Sequence, residues 1–139
     1  MASGMGAVST VYLALLSAGD HMVSTDSVYG PSRGLMEKHM SRFGVESTYV
    51  DTSDLENLRR ALRPNTRLVY IESPSNPAMS VTDIAGAAEI AHAHGALLVV
   101  DNTFASPVLQ KPLDLGADVV LHSVTKFING HADVVGGIV

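Results

Sequence analysis

Short unbroken apolar runs recur along this chain and alternate with stretches of helical character. Ala96-Leu97-Leu98-Val99-Val100 is the clearest run, and Leu68-Val69-Tyr70-Ile71 and Val119-Val120-Leu121 repeat it. A strand that is apolar at successive positions must bury both of its faces, whereas a sheet with one wet face alternates apolar and polar residues. Such strands, separated by helices, predict an α/β fold: a mostly parallel sheet with helices on both faces. No apolar run approaches the roughly 18 residues needed to span a bilayer.

The punctuation between the runs fits this layout. Ser3-Gly4 reads as the cap of a buried helix that continues to Gly19. Residues 21–25 and 45–50 are strand candidates on either side of a helix over 33–43. Ser53 or Asp54 caps a helix that Pro64 closes, and Thr82 caps one that runs to His94 with Gly95 in the C′ position. Residues 67–72, 96–100 and 119–122 complete the strands. There is no basic segment followed by a cleavable apolar stretch at the start. The chain opens directly on the first helix and stops on a rising strand pattern over 132–139, so the fold is expected to be incomplete at both ends.

Composition removes several classes of function. Charged residues are 17 % of the 139 and the net charge is −5, which argues against a nucleic-acid or anionic-membrane surface. Cysteine is absent, and with it disulfides, thiolate metal sites and thiol catalysis. Tryptophan is also absent, which leaves little for base stacking. His21, His39, His92 and His94 read as surface or helix-end residues. His92 and His94 are two apart on a helix and share no face, so no metal site is expected there.

In open α/β sheets, ligands bind beyond the carboxyl ends of the strands. That rule brings Glu72-Ser73-Pro74-Ser75-Asn76-Pro77, Asp101-Asn102-Thr103 and Ser123-Val124-Thr125-Lys126 to one edge. The start of the first helix, with free N–H groups and its dipole, adds a place for a phosphate. Lys126 follows an apolar strand, and a lysine partly withdrawn from water there can condense with a carbonyl. Asp101 follows Val99-Val100, where an anion can hold a ring nitrogen protonated. Taken singly, an aspartate after a strand is a cap, a lysine after Ser-x-Thr a solvated side chain, and Asn76 a turn residue. A Rossmann-type nucleotide-binding module is the competing reading. It needs Gly-x-Gly-x-x-Gly after a strand, and Gly4-Met5-Gly6 supplies only two of the glycines.

Five segments decide between these readings: Ser3-Gly4-Met5-Gly6-Ala7, Val28-Tyr29-Gly30, Glu72 to Pro77, Val99-Val100-Asp101-Asn102-Thr103-Phe104, and Ser123-Val124-Thr125-Lys126-Phe127-Ile128-Asn129-Gly130-His131. In this order and approximate spacing they resemble the cystathionine/methionine-metabolism family of pyridoxal-phosphate enzymes. The resemblance covers nearly the whole chain. It implies a fold-type I large domain, with residues 1–139 forming part of the cofactor-binding domain and the N-terminal arm and C-terminal domain absent.

It also implies roles. Lys126 corresponds to the lysine that carries pyridoxal 5'-phosphate and moves the substrate proton. Asp101 corresponds to the carboxylate facing the pyridine nitrogen. Gly4 and Met5 correspond to backbone donors to the phosphate, with hydroxyls from Ser123 and Thr125. Tyr29 corresponds to the ring that stacks on the cofactor and assists the leaving group, Asn76 to the side chain near the phenolic oxygen, and Thr103 to a further contact. The implied activity is carbon–sulfur chemistry on a sulfur amino acid, by β- or γ-elimination or, alternatively, by γ-replacement. The implied setting is a cytoplasmic homotetramer built from dimers. Many methionine γ-lyases carry cysteine after the Tyr-Gly pair, where this chain has Pro31, whereas the Asn129–Gly137 stretch leans toward γ-lyases and sulfhydrylases.

Overall fold

The computed structural model describes residues 1–139. One sheet runs in the order β2-β1-β3-β4-β5-β6. Its strands are β1 His21–Thr25, β2 Glu46–Val50, β3 Thr66–Glu72, β4 Leu97–Asp101, β5 Val119–Ser123 and β6 Gly137–Ile138. All pairings are parallel except that of β6, which lies antiparallel to β5. The helices are α1 Gly4–Leu15, α2 Gly30–Lys38, α3 Leu55–Ala61, α4 Ile84–His94 and the short α5 Ser106–Leu109.

The continuous apolar strands produce two cores because successive side chains leave a strand on opposite faces. Met22, Leu68, Tyr70, Val99 and Leu121 pack with Val8, Val11 and Tyr12 of α1 and Met36 of α2. Val23, Val69, Ile71, Leu98 and Val100 pack on the other face with Leu58 of α3 and Ile84, Ala87 and Ile90 of α4. Each fully buried aliphatic side chain contributes about 1.5–3 kcal/mol, so both faces anchor the strand ends that carry the polar clusters.

Several boundaries differ from the sequence-based expectation, each for a local reason. Ser3 caps α1 as expected, its hydroxyl accepting from the Gly6 N–H at 3.0 Å. The helix nevertheless ends at Leu15, short of Gly19, because Leu16 is extended and the Ser17 N–H turns to the Asp20 carboxylate at 2.8 Å. It is also only half buried, with Leu13 64 % exposed. The helix expected over 33–43 begins at Gly30 and tightens after His39 into a 3₁₀ turn over Met40–Phe43. Asp83, not Thr82, caps α4 by accepting from the Gly86 N–H. The Thr82 hydroxyl is engaged with that of Thr52 at 2.6 Å. Gly95 closes α4 at φ +79°, where a Cβ would be strained.

The strand expected over 132–139 shrinks to Gly137–Ile138. Gly137 is clasped by the first residue, whose amine donates to its carbonyl at 2.6 Å while its N–H donates to the Met1 carbonyl at 3.0 Å. His21 is not a surface residue but fully buried. Its ring nitrogens are satisfied by Thr66 Oγ1 at 2.8 Å and Thr48 Oγ1 at 2.9 Å, so it ties the first residues of β1 and β3 to the middle of β2. Burial lowers its pKa. No helix is long and apolar enough to cross a membrane.

The sheet order places the site. From β1 the chain moves outward to β2, then returns to add β3, β4 and β5 on the other side. The loops leaving the adjacent strands β1 and β3 therefore diverge, the first toward α2 and the second toward α4. Such a reversal opens a crevice at the carboxyl ends of the strands.

Candidate active site

A cavity of about 470 Å³ opens at this edge. Gly4, Met5, Tyr29, Asn76, Asp101, Thr103, Ser123, Thr125 and Lys126, all nine residues singled out from the sequence, line it. Ser3, Ser32, Glu72 and Phe104 line it as well, and none of them had been given a role in the site.

Asp101 closes β4 beside Glu72, its register partner on β3. It is 8 % exposed. Its Oδ1 accepts from the Thr103 N–H at 3.1 Å and the Thr103 hydroxyl at 2.5 Å, and its Oδ2 from the Tyr70 hydroxyl at 3.3 Å. Burial raises its pKa, and these hydrogen bonds pull against that rise. Thr103 is doubly used, since its Oγ1 also accepts from the Ser123 N–H at 2.8 Å. Its hydroxyl thus locks Asp101 to the end of β5. Behind them Tyr12 and Tyr70 meet edge to face, 5.3 Å between centroids.

The opening of α1 presses against the end of β5. A Cβ on Gly4 would lie 2.6 Å from both Cβ and Oγ of Ser123, closer than any side chain tolerates. Glycine is what lets the N–H groups of the first helical turn border the cavity beside the Ser123 side chain. Thr125 accepts from the Gly136 N–H at 3.0 Å and faces its carbonyl at 3.3 Å, which secures the turn that carries Lys126. Lys126 itself is exposed at the cavity rim. The partial withdrawal from water expected of it is not supplied by this chain, because the turn after β5 stands clear of both cores. Tyr29 is 51 % exposed and Asn76 is exposed, both at the mouth.

Glu72, brought to this edge by the sequence, is the acidic group that was given no role there. Its position as the last residue of an apolar strand was the available signal. Buried at 3 % exposure, it accepts from the Tyr29 N–H at 2.7 Å and the Asn76 N–H at 3.3 Å. Desolvation dominates over these two bonds, and Asp101 adds repulsion, so its pKa is raised to about 7. No cation pairs with either carboxylate.

This pair gives the protein without cofactor a defined pH signature. A raised folded-state pKa means stability that is fully present below the unfolded value of 4.5 and is lost as pH rises through about 7. For Glu72 the loss is on the order of 3 kcal/mol. His21 and His122, both lowered by burial, act oppositely and lose stability as pH falls below 6.5. Denaturant unfolding of wild type and Glu72→Gln isolates the carboxyl. The stability difference between them should shift by roughly that amount between pH 4.5 and 8, and a constant difference would contradict it.

The Cys/Met metabolism PLP-dependent enzyme family model matches residues 1–139. Cystathionine gamma-lyase of Bacillus subtilis (strain 168) is 53 % identical over 137 residues, which are 99 % of this chain and 36 % of that protein. L-methionine gamma-lyase of Treponema denticola is 52 % identical over 139 residues, 99 % of this chain and 35 % of that protein. Among solved structures, cystathionine gamma-lyase from Lactobacillus plantarum complexed with L-serine superposes with a TM-score of 0.95 at 48 % identity, covering 98 % of this chain and 35 % of that one. The chain thus spans about a third of the length of the relatives it matches.

Proposed function

The chain belongs to the Cys/Met metabolism family of PLP-dependent enzymes, and from that premise we propose that its cavity holds pyridoxal 5'-phosphate and serves carbon–sulfur bond cleavage in a sulfur amino acid. The observation that carries the reading is the convergence on one cavity of a buried carboxylate, a helix N-terminus that only glycine permits and a rim lysine. These residues fit the cofactor chemically. The first turn of α1 at Gly4 and Met5, with the hydroxyls of Ser123 and Thr125, offers donors to a phosphate dianion. Asp101, buried without a cation, lacks the positive partner that a protonated pyridine nitrogen would be. Tyr29 and Asn76 flank the mouth, where a ring face and a phenolic oxygen would be met.

When bound, the cofactor supplies an electron sink for the charge left at the substrate Cα. The chain's residues do the rest. Asp101 keeps that sink electron-poor by holding a proton on the ring nitrogen, and Thr103 and Tyr70 keep Asp101 in place. The Lys126 amine, in its neutral form, accepts the Cα proton and returns it at a neighbouring carbon. The Tyr29 hydroxyl stands at the mouth to protonate the departing sulfur. Anchoring through α1 keeps these groups in register.

The same reading takes the whole protein to be a cytoplasmic dimer of dimers. Exposed apolar side chains such as Val108 and Leu109, 87 % and 82 % exposed, support the presence of surfaces that another segment or subunit covers. Incubating the cofactor-loaded protein with L-cystathionine or L-methionine tests the activity. Release of a 2-oxo acid, ammonia and a thiol is expected. Thiol incorporation into an O-acylated homoserine without oxo-acid release identifies replacement chemistry instead, and the absence of both kinds of product overturns the reading.

A further inference from the structure

Beyond their last paired residues, Ser24 and Tyr70, β1 and β3 release loops that diverge toward opposite faces of the sheet. No backbone hydrogen bond crosses between these two loops. What joins them is the side chain of Glu72, with Oε2 on the Tyr29 N–H at 2.7 Å and Oε1 on the Asn76 N–H at 3.3 Å. One oxygen serves the loop after β1 and the other the loop after β3.

A buried, cation-free carboxylate is costly, and a neutral side chain of similar volume would fill the space without that cost. Once ionised, above about pH 7, the carboxylate provides two acceptors on one rigid group, and charged acceptors bind N–H donors more strongly than neutral ones. Glutamine offers one oxygen, and its amide nitrogen would face the second N–H donor to donor. Aspartate is a methylene shorter and would have to leave one loop.

We propose that Glu72 is a positioning residue that staples the two diverging loops and thereby sets Tyr29 and Asn76 across the cavity mouth. The staple itself is a property of the chain, and its consequence for cofactor and substrate rests on the function proposed above. A role in stability alone would require only burial of Glu72. The positioning role requires that both loops respond together and that the sheet beneath them does not.

Backbone amide hydrogen exchange on the holoenzyme and on the same protein stripped of cofactor tests this, comparing wild type with Glu72→Gln and Glu72→Asp. At pH 8, exchange in Glu72→Gln should quicken about tenfold over both 26–33 and 73–80, with β4 unchanged, because one bond loses its charged acceptor and the other loses its acceptor altogether. Turnover should fall with it, and the visible band of the bound cofactor should shift. Glu72→Asp should loosen one loop only. Unchanged exchange at either loop in Glu72→Gln, or equal acceleration in β4, overturns the staple. Loosened loops with an unaltered cofactor band and turnover overturn the positioning role. Because the stripped protein reports on the staple without cofactor, failure of the staple is distinguishable from failure of the pyridoxal-phosphate reading.

Discussion

Lys126→Ala should abolish turnover, by at least ~10³-fold, and should eliminate covalent retention of the cofactor. The lysine is asked to do two things that no neighbour can do. It must offer a nucleophilic amine and then carry a proton between carbons, and a positioned acid–base group alone is worth about 10²–10⁴-fold. The nearest candidates for substitution are poor. Ser123 and Thr125 carry hydroxyls that are far weaker bases, and the Thr125 hydroxyl is tied to Gly136. Lys126→Arg should be nearly as damaging, because a guanidinium keeps the charge but does not give up its proton at any working pH. Steady-state turnover on a sulfur amino acid, together with gel filtration of the loaded protein to see whether the cofactor stays bound, checks both parts. Substantial activity in the arginine variant would show that Lys126 contributes charge and not proton transfer.

Asp101→Asn should lower turnover by about 10²–10⁴-fold while costing much less in cofactor affinity. Asparagine keeps the shape of the side chain, and its carbonyl oxygen can still accept from Thr103, whose hydroxyl also receives the Ser123 N–H. What disappears is the negative charge, buried at the end of β4 without a cation. A neutral amide cannot hold a proton on a ring nitrogen, so the electron sink weakens even though α1 and Ser123 still anchor the phosphate. Equilibrium binding of pyridoxal phosphate measured beside turnover separates the two effects. Normal turnover would reduce Asp101 to a structural cap for Thr103.

Much of this was legible in the sequence, and the pattern of what was not is instructive. The strands from 67 to 72 and 96 to 100 were readable because burial on both faces leaves no polar position to blur them. Their polar ends could then be assigned to one edge by sheet geometry, which brings Asn76, Asp101, Thr103, Ser123, Thr125 and Lys126 together beside the start of α1, whereas Tyr29 was added only by the family resemblance. The identity of the cofactor was not readable that way. It came from the resemblance of five segments, among them Ser123 to His131, since periodicity cannot tell a lysine that binds a carbonyl from one that is solvated.

The failures share a cause, which is that a polar side chain's partner lies far away in sequence. His21 looks like a surface histidine until Thr48 and Thr66 are brought against it by β2 and β3. Thr82 is as good a cap as Asp83 by residue type, but it is claimed by Thr52, 30 residues earlier. Glu72 ends a strand like many acidic residues, and only the return of the chain beside β1 gives it the Tyr29 N–H to hold. The exposure of Lys126 has a different origin, because burial depends on what packs over the turn after β5 rather than on the apolar run before it.

Whether this cavity carries pyridoxal phosphate on Lys126 can be tested on one residue. Borohydride reduction of the cofactor-loaded protein makes the carbon–nitrogen link permanent, and peptide mapping then locates the pyridoxyl group. A single label on Lys126 is expected. A label on Lys38 or Lys111 instead, or none on Lys126 in a protein that has demonstrably bound the cofactor, would contradict it.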